Sequence, residues 1–184
     1  SRTRITSLGK DSSIFFKTFI IFLYSSIKFF LFCNLPAVSI NATSISFFLA
    51  NSAVLKATED EEIVSIAYLG NIVDIWEYFY KENIYVDLGS DQTSLHNPWA
   101  GGYYPVGLSF EESNQMMANK PELFKLKVKE SLKRQSLAIN LHASKGTYFF
   151  DYGNAFLLEA SRAGGDIMSE NGIDFKYPSY VQDI

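Results

Sequence analysis

The hydrophobic period switches between residues 63 and 83, and that switch leaves few folds open to the chain. "IVSIAYLG" (63–70) is a continuous apolar run, β-branched at first and closed by Gly70. It predicts a strand buried on both faces, as in a parallel sheet. "NIVDIWEYFYKEN" follows, with Ile72, Ile75, Trp76, Phe79 and Tyr80 at i, i+3, i+4, i+7 and i+8. That spacing predicts an amphipathic helix with one apolar face. "IYVDLG" (84–89) is a second short apolar strand. Strand, helix and strand form a βαβ unit, so the two strands are expected to pair in parallel through a right-handed crossover.

The alternation continues downstream. Ser109-Phe110-Glu111-Glu112 fits a capping box, with Ser109 as N-cap and Glu112 reaching back. Asn119-Lys120-Pro121-Glu122 is expected to open the next helix in the same way. Phe124, Val128, Leu132 and Ile139 give that helix an apolar stripe, and its lysines and Arg134 read as a solvated face. "TYFFDYG" (147–153) is a third strand. "NAFLLEASRAGG" is a helix with Asn154 as cap and Gly164 just past its end. No internal repeats are present. The expected fold class is α/β, a partial Rossmann-like parallel sheet flanked by helices. Polar residues mark three strand ends: Gly70-Asn71, Asp87 to His96, and Asp151 to Asn154. Open α/β sheets bind ligands beyond the carboxyl ends of their strands, so these ends are expected to border one cleft.

Residues 1–56 differ from the rest. "IFFKTFIIFLYSSIKFFLFC" (14–33) is long enough to cross a bilayer and follows the basic residues Arg2, Arg4 and Lys10. Lys17 and Lys28 interrupt it, and a mid-membrane charge costs roughly 2.5–3.5 kcal/mol. Through Asn51 the segment is dominated by Phe, Ile, Leu, Ser, Asn and Lys, as when AT-rich non-coding DNA is translated. The readings are a gene-prediction artefact such as a read-through intron, a membrane anchor, or a buried hydrophobic element. The sequon Asn41-Ala42-Thr43 matters only for the anchor. Composition becomes ordinary from Ala57, so 57–184 is taken as the domain. The missing initial Met and the abrupt end at "YPSYVQDI" lead to the expectation of a piece of a longer protein.

Composition removes several function classes. The net charge of −4 argues against a general nucleic-acid binder. Cys33 is the single cysteine, and His96 and His142 are the two histidines. An intrachain disulfide, a Cys-rich zinc site and an HExxH motif are therefore excluded, and no metal is expected. Neither GxGxxG nor a P-loop occurs, so no phosphate cradle can be argued.

The densest polar stretch is "DQTSLHNPWAGGYYP" (91–105). Gln92, Thr93 and Ser94 can serve a ligand or satisfy their own turn. Asn71 after a strand is first a helix N-cap. His96 in a Gly/Pro-rich loop is more often exposed or structural than catalytic. Tyr103 and Tyr104 suit packing as well as stacking, and Asp151-Tyr152-Gly153-Asn154 suits a plain strand-to-helix turn. Residue types and spacing stop at an α/β sheet with a polar cleft.

Taken together, "AYLGNIVDIWE", "DLGSDQTSLHNPWAGGYYPVGLSFEE", "YFFDYGNAFLLEASRAG" and "YPSYVQDI" resemble urocanase (urocanate hydratase) in its eukaryotic and partly bacterial form. The resemblance runs from about residue 62 to the end, and the order DQTSxHxP, GYxP, FDYGN is highly specific. It implies a cytoplasmic homodimer of histidine degradation that hydrates urocanate to imidazolonepropionate. The family holds NAD⁺ tightly and uses it as an electrophile rather than a redox reagent. By motif, the implied NAD contacts are Asn71, Ile72, Gln92, Thr93, Ser94, Leu95, His96, Tyr103, Tyr104 and Tyr152. Between His96 and Tyr103 the chain has one residue more than some bacterial members, and Tyr104 stands where they have leucine.

The resemblance also implies what these 184 residues lack. The family's glycine-rich pyrophosphate loop, active-site cysteine and later substrate-binding arginine have no counterpart here, and Cys33 lies outside the matching region. No catalytic residue is therefore assigned. The alternatives are a membrane-anchored, non-catalytic protein that reuses the domain, and an NAD-dependent dehydrogenase.

Overall fold

A computed structural model describes residues 19–23, 28–32, 56, 65–68, 71–91, 98–100, 103–153 and 155–180. In chain order the strands and helices are β1 (Phe19–Leu23), β2 (Lys28–Phe32), β3 (Ser65–Tyr68), α1 (Ile72–Lys81) and β4 (Leu88–Asp91). A 3₁₀ turn (Pro98–Ala100), α2 (Phe110–Asn119), α3 (Pro121–Ser144), β5 (Tyr148–Asp151) and α4 (Phe156–Ala163) follow. This is the expected Rossmann-like arrangement, with helices flanking the parallel pair β4–β5. Leu88 pairs with Tyr148 and Asp91 with Asp151.

The first βαβ expectation needs correction. The sheet order is β3-β2-β1-β4-β5, so β3 and β4 are not neighbours. β1 runs parallel to β4, while β2 is antiparallel to both β1 and β3. The Phe- and Ile-rich runs of β1 and β2 are the residue types that favour strands. Residues 14–33 therefore contribute two strands where they are described. Among the described residues no helix is long and apolar enough to cross a membrane. The remainder of residues 1–56, with Cys33 and the Asn41 sequon, lies outside the described residues.

The second strand also starts later than its apolar run. Asn83 N–H and Ile84 N–H donate back to Tyr80 O and Phe79 O, so these residues finish α1. Ladder bonding begins where Tyr148 N–H donates to Asp87 O.

α1 begins as its sequence requires. Asn71 is the N-cap, and its side-chain oxygen accepts from Val73 N–H at 2.9 Å. Val73, Ile75, Trp76 and Phe79 are buried, while Ile72 and Tyr80 are half-buried. Trp76 fills the gap between α1 and the sheet. It packs edge-on to Phe149 and His142, and against Gly89, where no side chain larger than hydrogen fits.

α2 carries the complete capping box: Glu112 N–H donates to Ser109 Oγ and Ser109 N–H to Glu112 Oε2. α3 starts differently from expectation. Lys120 is its N-cap, without a side-chain cap bond, and Pro121 occupies the first turn, where its missing N–H costs nothing. α3 packs against α1, α2 and α4 and buries Phe124, Val128, Leu132, Ala138 and Ile139. Arg134 is paired rather than merely solvated: its guanidinium grips Glu77 of α1 through two bonds of 2.8 and 2.7 Å. Both partners are about 40% exposed, so the pair contributes no more than about 1 kcal/mol.

α4 ends on Gly164 at φ 84°, as expected for a left-handed cap. Its start is capped from an unexpected source. Asp151, at the end of β5, accepts from Gly153 N–H and Leu157 N–H at 3.0 and 3.2 Å. Asn154 lies outside the described residues. Beyond α4 the chain returns to β5: Asp151 N–H donates to Pro178 O and Tyr180 N–H to Asp151 O.

Candidate functional site at the strand ends

Parallel pairing brings the carboxyl ends of β4 and β5 side by side. Asp91 and Asp151 face each other across the ladder, and both are buried. A buried carboxylate needs donors aimed at it. Asp151 takes two backbone N–H groups, as described. Asp91 receives the side-chain amide of Gln135, from the middle of α3. The backbone links the two ends again where Tyr152 N–H donates to Asp91 O at 3.1 Å.

Tyr152 then turns outward. The residue is 44% exposed, and its ring lies 5.3 Å from that of Tyr180, with the two planes at 7°. The bonds between Asp151 and residues 178–180 set this stack, because they fix where Tyr180 leaves the sheet edge.

The support of this region is built from the stretch after the 3₁₀ turn. Tyr103 is 1% exposed, and its hydroxyl donates to Gln135 Oε1 at 3.0 Å. Tyr104 is half-buried; its hydroxyl donates to Asn114 Oδ1 at 3.2 Å and its ring packs against Phe110. Its carbonyl accepts from Asn71 Nδ2 at 2.9 Å. Asn71 thus caps α1 with its oxygen and holds the Tyr104 backbone with its amide. Val106 N–H donates to Ser131 Oγ of α3.

The structure therefore brings Asn71, Tyr103, Tyr104 and Tyr152 into one connected region around the end of β4. Ile72 sits beside Asn71 and packs on the core. Gln92, Thr93, Ser94, Leu95 and His96 lie outside the described residues. Sequence reading missed Gln135, Asn114, Ser131 and Tyr180. Gln135 did leave a signal, being a polar residue at the spacing of the apolar stripe formed by Val128, Leu132 and Ile139.

His142 is a core histidine. Its Nε2 lies 2.8 Å from Trp76 O, and a carbonyl only accepts, so the proton is on Nε2. Burial pulls its pKa below the ordinary 6.5; the bond to the Trp76 carbonyl opposes this and nearby Lys145 adds to it. Among the described residues no group of three His, Cys, Asp or Glu could hold a metal ion.

The sequence profile of the Urocanase Rossmann-like domain matches residues 41–184, well over half of the chain. The chain belongs to the urocanase family. It is 58% identical over 130 residues to the probable urocanate hydratase of Caenorhabditis elegans, covering 68% of this chain and 19% of that protein. It is 56% identical over 132 residues to the probable urocanate hydratase of Dictyostelium discoideum, covering 70% and 20%. The urocanate hydratase of Homo sapiens is 52% identical over 136 residues, again covering 70% and 20%. The chain thus spans about a fifth of the length of these curated relatives. The urocanase profile reaches back to residue 41, ahead of the boundary that composition placed at residue 57.

Proposed function

We propose that residues 57–184 form one wall of the NAD⁺ site of a urocanate hydratase, a hydro-lyase that converts urocanate to imidazolonepropionate. The observation that carries this reading is the juxtaposition at the end of β4. There the polar stretch leaves Asp91, whose carbonyl accepts from the N–H of Tyr152, the exposed residue that follows the neighbouring parallel strand. Such strand ends are where α/β sheets bind nucleotides.

Among the described residues, Tyr152 fits a ring portion of a dinucleotide. The starts of α1, α2 and α4 are less suited to phosphate, because protein side chains already accept from N–H groups there: Val73 N–H donates to Asn71, Glu112 N–H to Ser109 and Leu157 N–H to Asp151. Pyrophosphate binding is assigned to parts of the intact enzyme outside these residues. When bound, NAD⁺ supplies an electron sink for the substrate ring.

The ten motif positions divide by role. Tyr152 offers a face for stacking, and Gln92, Thr93, Ser94, Leu95 and His96 supply side chains and backbone to the nucleotide. Asn71, Ile72, Tyr103 and Tyr104 hold the wall in place, since their polar groups bond to protein or their side chains pack on the core. The intact enzyme is a cytoplasmic homodimer in this reading.

The 184 residues alone are inactive, because they contain neither a glycine-rich loop nor a cysteine within the matching motifs. Incubating the purified chain with urocanate and NAD⁺ is expected to leave urocanate's ultraviolet absorbance unchanged and to produce no NADH. Loss of urocanate absorbance would overturn the assignment of inactivity. Appearance of NADH with an alcohol or hydroxy-acid substrate would favour a dehydrogenase instead.

A further inference from the structure

Gln135 lies outside the motifs that mark the cleft wall, yet it touches both ends of the polar stretch. Its amide donates to the Asp91 carboxylate, the last residue of β4 before that stretch. Its carbonyl oxygen accepts from the Tyr103 hydroxyl, where the described chain resumes after residues 101–102. All three residues are no more than 1% exposed.

The chemistry fixes the direction of this chain of bonds. Gln135 Nε2 donates to Asp91 Oδ2, so the NH₂ of Gln135 faces Asp91. The carbonyl oxygen of Gln135 then faces Tyr103, and the tyrosine hydroxyl must donate. Glutamine carries a donor and an acceptor on one planar group, which suits it to bridge these two partners. A glutamate would present a second carboxylate to Asp91, and a leucine would leave both partners without this bond in a buried site.

One turn earlier on α3, Ser131 adds a further hold. Its Oγ accepts from Val106 N–H and donates to Lys127 O. Ser131 and Gln135 are four residues apart, so they lie on the same helix face. α3 therefore grips the exit of the stretch at two successive rungs, and its entrance at one.

We propose that Gln135 is a positioning residue for the nucleotide wall, clamping Asp91 and Tyr103 so that residues 92–102 start and end at fixed points. The inference rests on the dinucleotide reading for its ligand, but the clamp can be measured without one. Tyr103 acts in it as a partner of Gln135, through a hydroxyl already committed to protein.

Hydrogen–deuterium exchange of the full 184-residue chain tests the clamp, with Gln135→Met as the variant that keeps the side chain's length and removes both bonds. Exchange of amides 92–102 is expected to rise about tenfold or more, while amides of β5 and α4 keep their wild-type rates. Tyr103→Phe removes one arm only and is expected to give a smaller rise in the same segment. It also serves if Gln135→Met does not fold. Unchanged exchange at 92–102 in the folded variants would overturn the clamp, as would an equal rise across β5 and α4, which marks a general loss of stability. Saturation-transfer NMR with millimolar NAD⁺ adds the functional readout, and the signal is expected to fall in both variants. If the clamp is seen but the wild-type chain gives no NAD⁺ signal, the dinucleotide reading fails and the positioning of residues 92–102 by Gln135 stands.

Discussion

Replacing Asp151 by alanine is expected to lower the stability of the chain by about 2–4 kcal/mol. The carboxylate is 2% exposed and accepts from Gly153 N–H with one oxygen and Leu157 N–H with the other. Alanine leaves both donors without this acceptor, in a place with little access to water. It also removes the cap of α4, whose own N-cap residue, Ala155, offers no side-chain bond. Asp151→Asn keeps one acceptor oxygen and should lose about half as much. Urea unfolding followed by circular dichroism measures both. A loss below about 0.5 kcal/mol for alanine would show that the turn finds other partners.

A comparable effect is expected at Gly89. A Cβ there would collide with Trp76 Cη2 and lie 2.9 Å from Trp76 Cζ2, with Phe149 Cδ2 at 3.5 Å on another side. Trp76 is itself fully buried, so it cannot swing into solvent. Gly89→Ala should cost about 1–3 kcal/mol by overpacking, and Gly89→Val more. Trp76→Phe removes the part of the indole that meets the new methyl. The double variant is therefore expected to be more stable than the sum of the single losses implies, by about 1 kcal/mol. Strict additivity in the same unfolding experiment would show that the indole is not what confines Gly89.

These sites also show what the sequence could reveal. Local chemistry was legible. The α1 cap at Asn71, the reciprocal Ser109–Glu112 box and the left-handed Gly164 each depend on residues within four positions of one another. The start of β4 was not legible from its apolar run, because Asn83 and Ile84 spend their N–H groups closing α1. The start of α3 was misread for a similar reason: Pro121 supplies a helix start that needs no side-chain cap.

Long-range partners were hidden altogether. Asp151 caps a helix six residues ahead, and Gln135 reaches Asp91 and Tyr103 across 44 and 32 positions. Nothing in local periodicity encodes such pairings, although a glutamine on an apolar stripe marks a position that must find a buried partner. The place of β3 was lost for a different reason. Strand propensity and helix spacing predict that strands form, while the order of strands depends on which other segments join the sheet, here β1 and β2.

For the candidate site, residue types alone gave a polar cleft at strand ends, and the motif order gave the family. The proposed division of labour rests on where side-chain atoms already have partners. Asn71 and Tyr103 were candidates for ligand contact, yet their polar atoms hold protein groups. Tyr152 presents an exposed ring, backed by Tyr180.

The central claim is that the ends of β4 and β5 carry one wall of an NAD⁺ site. Saturation-transfer NMR on the purified chain with millimolar NAD⁺ tests it most directly, comparing wild type with Tyr152→Ala. The account predicts weak transfer to the ring protons of NAD⁺ in the wild type, and loss of most of that signal in a variant that unfolds at the same temperature. Absence of transfer in the wild type, or transfer unaffected by Tyr152→Ala, would contradict it.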